Sequence, residues 1–286
     1  MSRIAYVNGR YLPHADAGIH IEDRGFQFAD GVYEVCEVRA GHLVDARRHL
    51  DRLDRSLAEL RIAAPMSRAA LLVVLRETVR RNRIRTGLVY LQVTRGIARR
   101  DHGFPSPDTP PSVVVTARAS DPRAGTAKAN TGVKVITVPD NRWERVDIKT
   151  VGLLPNVLAK QQAREQGAFE AWFIDDEGQV TEGASTNAWI VTADGALVTR
   201  PADAGILRGI TRTVLFEVAQ AQGLRVEERA FSLADAFLAR EAFVSSASGI
   251  VLPVVAIDGR PVGGGVPGPV ALGLRERFHE FAETQS

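Results

Sequence analysis

The apolar positions of the chain begin in short runs cut by turn residues and then settle into helical steps. Ile4-Ala5-Tyr6-Val7 and Tyr11-Leu12 flank Asn8-Gly9, a dipeptide suited to a two-residue turn, and this predicts a β-hairpin. The run GVYEVCEVR (31–39), β-branched at Val32, Val35 and Val38, predicts a strand region. Leu50, Leu53, Leu57 and Leu60 recur at helical steps and mark one face of a helix. A second helix is expected over 68–82, followed by strands at 88–94 and 112–117.

Residues 119–132 (ASDPRAGTAKANTG) are small and polar and include Pro and Gly, so they read as a linker. Beyond them the pattern predicts a strand at 133–138, a helix at 156–166, and strands at 171–174 and 188–191. Asp194-Gly195 marks another hairpin turn, a helix is expected over 210–222, and strands at 243–246 and 254–257 precede a last helix at 270–284. The stretch VGGGVPGP (262–269) reads as a flexible turn. The expected architecture is α+β or mixed α/β in two halves: a small N-terminal α/β domain (1–118), the linker (119–132) and a larger C-terminal domain (133–286).

Hydrophobic residues make up 45% of the 286 and charged residues 24%, a globular balance that excludes disorder over most of the length. No apolar run approaches the roughly 20 residues of a membrane helix, and the first residues lack the apolar core of a secretory signal. Cys36 stands alone, which excludes an intrachain disulfide and a four-cysteine metal site and fits a reducing cytoplasm. The six histidines show no metal-ligand spacing, so no metal is expected. A net charge of +2 gives no global field for nucleic acid. The basic stretch between Arg76 and Arg100 carries neither a run of aromatics for stacking nor a known binding module. Lysine occurs only at 128, 134, 149 and 160, so few amines exist for chemistry that needs one.

No phosphate-binding Gly-rich loop, nucleophile elbow or paired-histidine zinc motif is present. Lys149 sits in VDIKTVG between apolar neighbours. Either its stem lies on apolar surface with its head in water, or the apolar setting disfavours the ammonium and leaves a nucleophilic amine. Glu182 in VTEGASTN is either a turn acid or a carboxylate able to accept a proton from a ring nitrogen. Gly209-Ile210-Thr211 opens a helix, whose unpaired amides form either an ordinary start or an anion seat. An amine for an aldehyde, an acid for a pyridine nitrogen and a seat for a phosphate are together what pyridoxal 5′-phosphate requires.

The segments DRGFQFADGVYEV (23–35), HLDRL (49–53), DIKTVGLLPNVLAKQQA (147–163), VTEGASTN (180–187), GILRGITR (205–212) and FVSSAS (243–248) resemble, in this order, the class IV aminotransferases, pyridoxal phosphate enzymes of fold type IV. The resemblance implies a two-domain fold with the cofactor between the domains. Lys149 matches the family's Schiff-base lysine and proton carrier, and Glu182 the acid on the pyridine nitrogen. Arg52 matches the phosphate-binding arginine. Gly209, Ile210, Thr211, Ser246 and Ala247 match further phosphate contacts, and Leu207 the apolar residue against the ring. Tyr33 matches an active-site tyrosine. The relatives are dimers with sites near the subunit interface, which implies a homodimer.

The segment VTRGIARRDHGFP (93–105) resembles the D-amino acid aminotransferase version, in which an R-x-H pair and the tyrosine reach the substrate carboxylate. Here these residues are Arg100, His102 and Tyr33, with Arg99 as a competing cation. The implied activity is ping-pong transfer from a D-amino acid to 2-oxoglutarate or pyruvate. Branched-chain L-amino acid aminotransferase and aminodeoxychorismate lyase are the alternatives within the same resemblance. One departure bears on substrate: ASGIVLPV puts Gly249 and Ile250 where the family often has an acidic residue.

Overall fold

The computed structural model describes residues 3–203 and 205–285. The chain divides into two compact units. The first takes the chain as far as Asp121, returns for Ile148–Gly152 and returns again from Glu283. The second is Pro122–Asp147 with Leu153–Ala282.

In the first unit the predicted hairpin forms as β1 (Ile4–Val7) and β2 (Arg10–Pro13). Asn8 and Gly9 both take positive φ, 44° and 92°, as a two-residue turn of this hand requires. There follow α1 (Arg24–Phe28), β3 (Gly31–Arg39), β4 (His42–Val44), α2 (Ala46–Glu59), α3 (Arg68–Arg81), β5 (Thr86–Thr94) and β6 (Ser112–Ala119). These strands make an antiparallel sheet in the order β4-β3-β5-β6-β1-β2, with Thr284–Gln285 as an edge strand beside β4. Leu50, Leu53 and Leu57 of α2 and Leu71, Leu75 and Val79 of α3 share one core with Val32, Cys36 and Val38 of β3. Each such leucine, taken fully out of water, contributes about 1.5–3 kcal/mol.

The second unit contains α4 (Pro122–Thr131), β7 (Val133–Pro139), α5 (Leu154–Glu165), β8 (Glu170–Ile174), β9 (Val180–Gly183), β10 (Asn187–Val191), β11 (Leu197–Thr199), α6 (Ile210–Ala221), β12 (Val226–Glu228), α7 (Leu233–Leu238), β13 (Glu241–Ser246), β14 (Ile250–Ile257), β15 (Arg260–Pro261) and α8 (Pro269–Phe281). Its sheet runs β12-β11-β10-β13-β14-β7-β8-β9, with β15 paired to β14. The β11–β12, β14–β7 and β7–β8 pairs are parallel and the others antiparallel. All five residues of β10 are buried, which explains its continuous apolar run.

Three stretches differ from the expected pattern. The stretch 119–132, expected as a linker, carries a helix at Pro122–Thr131, and the boundary between the units falls inside it, after Asp121. Its alanines favour a helix, but only Ala129 is buried, so the apolar stripe was too thin to read. The last helix stops at Phe281, and the chain beyond it pairs with β4. Asp45 and Glu283 hold that turn by exchanging hydrogen bonds: Asp45 N–H donates to the Glu283 carbonyl, and Glu283 N–H to Asp45 Oδ1. Ile148–Gly152, expected within the C-terminal half, belongs with the first unit.

Candidate active site

Lys149 is fixed first by its backbone. Ile148 lies in the first unit's core, and Thr150 forms an antiparallel bridge with Val32. The Tyr33 N–H donates to the Lys149 carbonyl at 3.0 Å, and the Val151 N–H to the Gly31 carbonyl at 3.0 Å. The segment therefore runs as a short added strand along the start of β3. The Lys149 Nζ stands 4.2 Å from the centre of the Tyr33 ring. Tyr33 packs on Tyr90 at 5.6 Å between centroids. Burial pushes the Tyr90 hydroxyl up to about 12, with Tyr33 adding to the effect, so it stays neutral and donates to Gln92 Oε1 at 2.7 Å.

Strand alternation sends Tyr33 and Glu34 to opposite faces of β3. Glu34 meets α2, where it accepts from Arg52 Nε at 2.7 Å and Arg52 Nη2 at 2.8 Å, and contacts His49 Nδ1 at 2.7 Å. Burial alone would raise the Glu34 carboxyl. The Arg52 charge and the hydrogen bonds from Arg52 and His49 outweigh it and hold the carboxyl at about 2. Arg52, expected at a phosphate, thus has a carboxylate partner that the sequence did not reveal.

Arg100 and His102 share one neighbour. The Phe28 ring lies 4.6 Å from the Arg100 guanidinium and 5.5 Å from the His102 ring. Among the described residues neither is hydrogen-bonded to or stacked on Tyr33: Arg100 and His102 each meet Phe28, and Tyr33 lies instead beneath Lys149. The loop carrying Arg100 and His102 is tied down. Arg24 donates from Nη1 to the Asp101 carbonyl at 2.6 Å and from Nε to Asp30 at 2.8 Å, and Arg95 also forks onto Asp30. Burial works to raise the Asp30 carboxyl, but its bonds from Arg95 and Arg24 outweigh that and lower it.

In the second unit Glu182 lies on β9, buried within a set of donors. Arg142 Nη1 donates to Oε1 at 2.6 Å, Asn187 Nδ2 to Oε2 at 3.1 Å, and the Leu207 N–H to both oxygens at 3.2 Å. Arg142 also forks onto Asp140 at 2.8 and 2.7 Å. Asn187 Nδ2 closes the loop by donating to the Leu207 carbonyl at 2.9 Å. Leu207 is therefore held at both its N–H and its carbonyl, three residues before α6 begins. Gly209 caps that helix without a side-chain hydrogen bond, and a Cβ there would stand 2.1 Å from Asn187 Oδ1. Ile210 and Thr211 are buried in the first turn. Ser246 ends β13, its hydroxyl 3.2 Å from the Gly249 N–H, with Ala247 in the following turn.

Sequence reading missed Glu34, His49, Phe28, Arg142 and Asn187. One signal was available: Glu34 occupies an apolar phase of β3, between Val32 and Cys36. Arg142 lies between Pro139 and Lys149 where no period exists, and nothing local marks it.

Residues 31–257 match the family described as amino-transferase class IV. A D-alanine aminotransferase of Staphylococcus haemolyticus is 39% identical over 282 residues, covering 98% of each chain. One of Listeria monocytogenes is 42% identical over 275 residues, 96% of this chain and 94% of that one. Among solved structures, a T.th. branched-chain amino acid aminotransferase with pyridoxamine 5′-phosphate superposes with a TM-score of 0.89 at 28% identity, over 98% of this chain and 94% of that one. Among the described residues no helix is long and apolar enough to cross a membrane.

Proposed function

Because this chain belongs to the class IV aminotransferases, we propose that it transfers the amino group of a D-amino acid to a 2-oxo acid such as 2-oxoglutarate or pyruvate, with pyridoxal 5′-phosphate as cofactor and in two half-reactions. The observation that carries this reading is the identity of about 40% to D-alanine aminotransferases over nearly the whole chain.

The donor set suits that cofactor. Lys149 is an amine above an aromatic face, Glu182 is a carboxylate held by Arg142, and the start of α6 is uncapped at a glycine with no room for a Cβ. When bound, pyridoxal phosphate supplies an aldehyde that captures amines and a ring that withdraws electrons from the substrate Cα. Lys149 Nζ would hold the cofactor through its aldehyde carbon and, once displaced there by the substrate amine, would be the free amine that carries the proton between the substrate Cα and that same aldehyde carbon. Glu182, held by Arg142, would face the ring nitrogen and keep a proton there. By the family resemblance, Arg52, the amides at Gly209, Ile210 and Thr211, and the turn at Ser246 and Ala247 would each be phosphate ligands, and Leu207 would be the apolar residue against the ring. Tyr33, Arg100 and His102 orient the substrate carboxylate. Arg100 is the better candidate than Arg99, since it shares Phe28 with His102.

We also read the protein as a cytoplasmic homodimer. Ile19, Ile21, Phe26, Ile97 and Phe104 are exposed on two stretches joined by the Asp23–Ile97 bridge, an apolar patch that a second copy would cover. The lone Cys36 is buried, in keeping with a reducing compartment. Light scattering at micromolar concentration should give twice the chain mass, and a monomer would count against the dimer.

A second reading, L-specific branched-chain transamination, draws on the likeness to the solved branched-chain enzyme. A half-reaction panel separates the two. The cofactor's visible band should fade with D-alanine and D-glutamate and persist with L-leucine, and the reverse pattern would install the second reading.

A further inference from the structure

We infer that Glu34 is a positioning residue for the phosphate end of this site: its carboxylate fixes the plane of the Arg52 guanidinium, with His49 as its second partner, so that Arg52 meets the phosphate already oriented. This rests on the reading that Arg52 binds phosphate.

Glu34 stands where strand alternation buries Val32, Cys36 and Val38. An apolar side chain would fill that position at no electrostatic cost, whereas a buried carboxylate is tolerated only with full compensation. The compensation is specific. Arg52 presents its Nε–Nη2 edge to the two carboxylate oxygens at 2.7 and 2.8 Å, the fork-to-fork geometry that sets a guanidinium's plane as well as its position. His49, one helical turn before Arg52 on α2, lies 2.7 Å from the same carboxylate. All three side chains are nearly withdrawn from solvent, at 2% for Glu34, 4% for His49 and 10% for Arg52. An arginine stem is otherwise among the most mobile of side chains. With its Nε–Nη2 edge committed to Glu34, the guanidinium has its plane set before a phosphate arrives, and phosphate binding need not order the stem.

The test compares pyridoxal 5′-phosphate with pyridoxal, which lacks the phosphate. Apoenzyme prepared from the purified holoenzyme is titrated with each, and the ratio of the two dissociation constants reads the phosphate's contribution alone. Glu34→Gln should lower that ratio roughly tenfold or more, as loss of an outer-shell partner does for metal ligands, and Glu34→Asp should give an intermediate value. Arg52→Gln should lower it as well, and Glu34→Gln should add nothing in that background. The double variant also removes both buried charges, so the comparison survives if Glu34→Gln alone folds poorly. If Arg52→Gln collapses the ratio while Glu34→Gln leaves it unchanged, or weakens both ligands equally, Glu34 is merely structural and the inference fails while the phosphate reading stands. If Arg52→Gln leaves the ratio unchanged, the phosphate reading falls and the inference with it.

Discussion

Single side chains in this protein are given direction by partners distant in sequence. Glu182 is the clearest case, held by a guanidinium forty positions earlier and a backbone amide at Leu207. Glu182→Gln should retain cofactor but slow the half-reaction by on the order of 10- to 100-fold, the value of one charge-assisted hydrogen bond. Stopped-flow absorbance with D-alanine measures it, and an unchanged rate would remove Glu182 from the ring nitrogen. The Phe28 stack makes a sharper claim about two adjacent arginines. Arg100→Ala should raise the KM for D-alanine roughly tenfold through a lost charged contact, whereas Arg99→Ala should leave it nearly unchanged. Equal effects from the two would show that Phe28 does not select between them.

At the scale of elements, the turn into α6 depends on one close approach. Gly209→Ala would drive a methyl group into Asn187 Oδ1, and Asn187 can yield only by releasing Glu182 or Leu207. That costs about 1–3 kcal/mol, read as a lower Tm and weaker cofactor retention. In an Asn187→Ala background the same substitution should cost much less, because its obstacle is gone; full additivity would mean the contact is not the cause. Elements with a period were legible in advance. The leucine steps of α2 and the alternation of β3 follow from burying one face, and the strand at 31–39 is found where it was expected. Elements that bury little were not. Residues 122–131 offer the second unit one alanine, so their composition spoke only of solubility. The candidate site was legible to the extent that its proposed residues sit in short motifs, as Lys149 does in VDIKTVG and Glu182 in VTEGASTN. Arg142, Asn187 and Glu34 act by pairing across the fold, and pairing leaves no local pattern.

For the molecule as a whole, acid should be destabilising, largely through its buried carboxylates. Glu34 is held at about 2 against an ordinary 4.5, so its contribution is complete above the ordinary value and fades as the pH falls toward 2. The gap is worth about 3 kcal/mol. Asp30 and Asp140, both lowered by arginine partners despite burial, act in the same direction. Asp45, raised mainly by burial, acts against them. Thermal unfolding of the apoenzyme between pH 5 and 2.5 should therefore fall steeply in the wild type and less steeply in the Glu34→Gln/Arg52→Gln double variant; parallel slopes would show that the pair carries none of the acid sensitivity. The layout of the first unit, with its later returns at Ile148–Gly152 and from Glu283, has a different consequence. Its sheet cannot be finished on the ribosome until residues 284–285 have emerged, long after its other strands. Nor can the gene be divided at Asp121 to give two self-sufficient halves: the upstream fragment would lack its edge strand and Lys149, and the downstream one would carry the lysine without the β3 backbone that holds it.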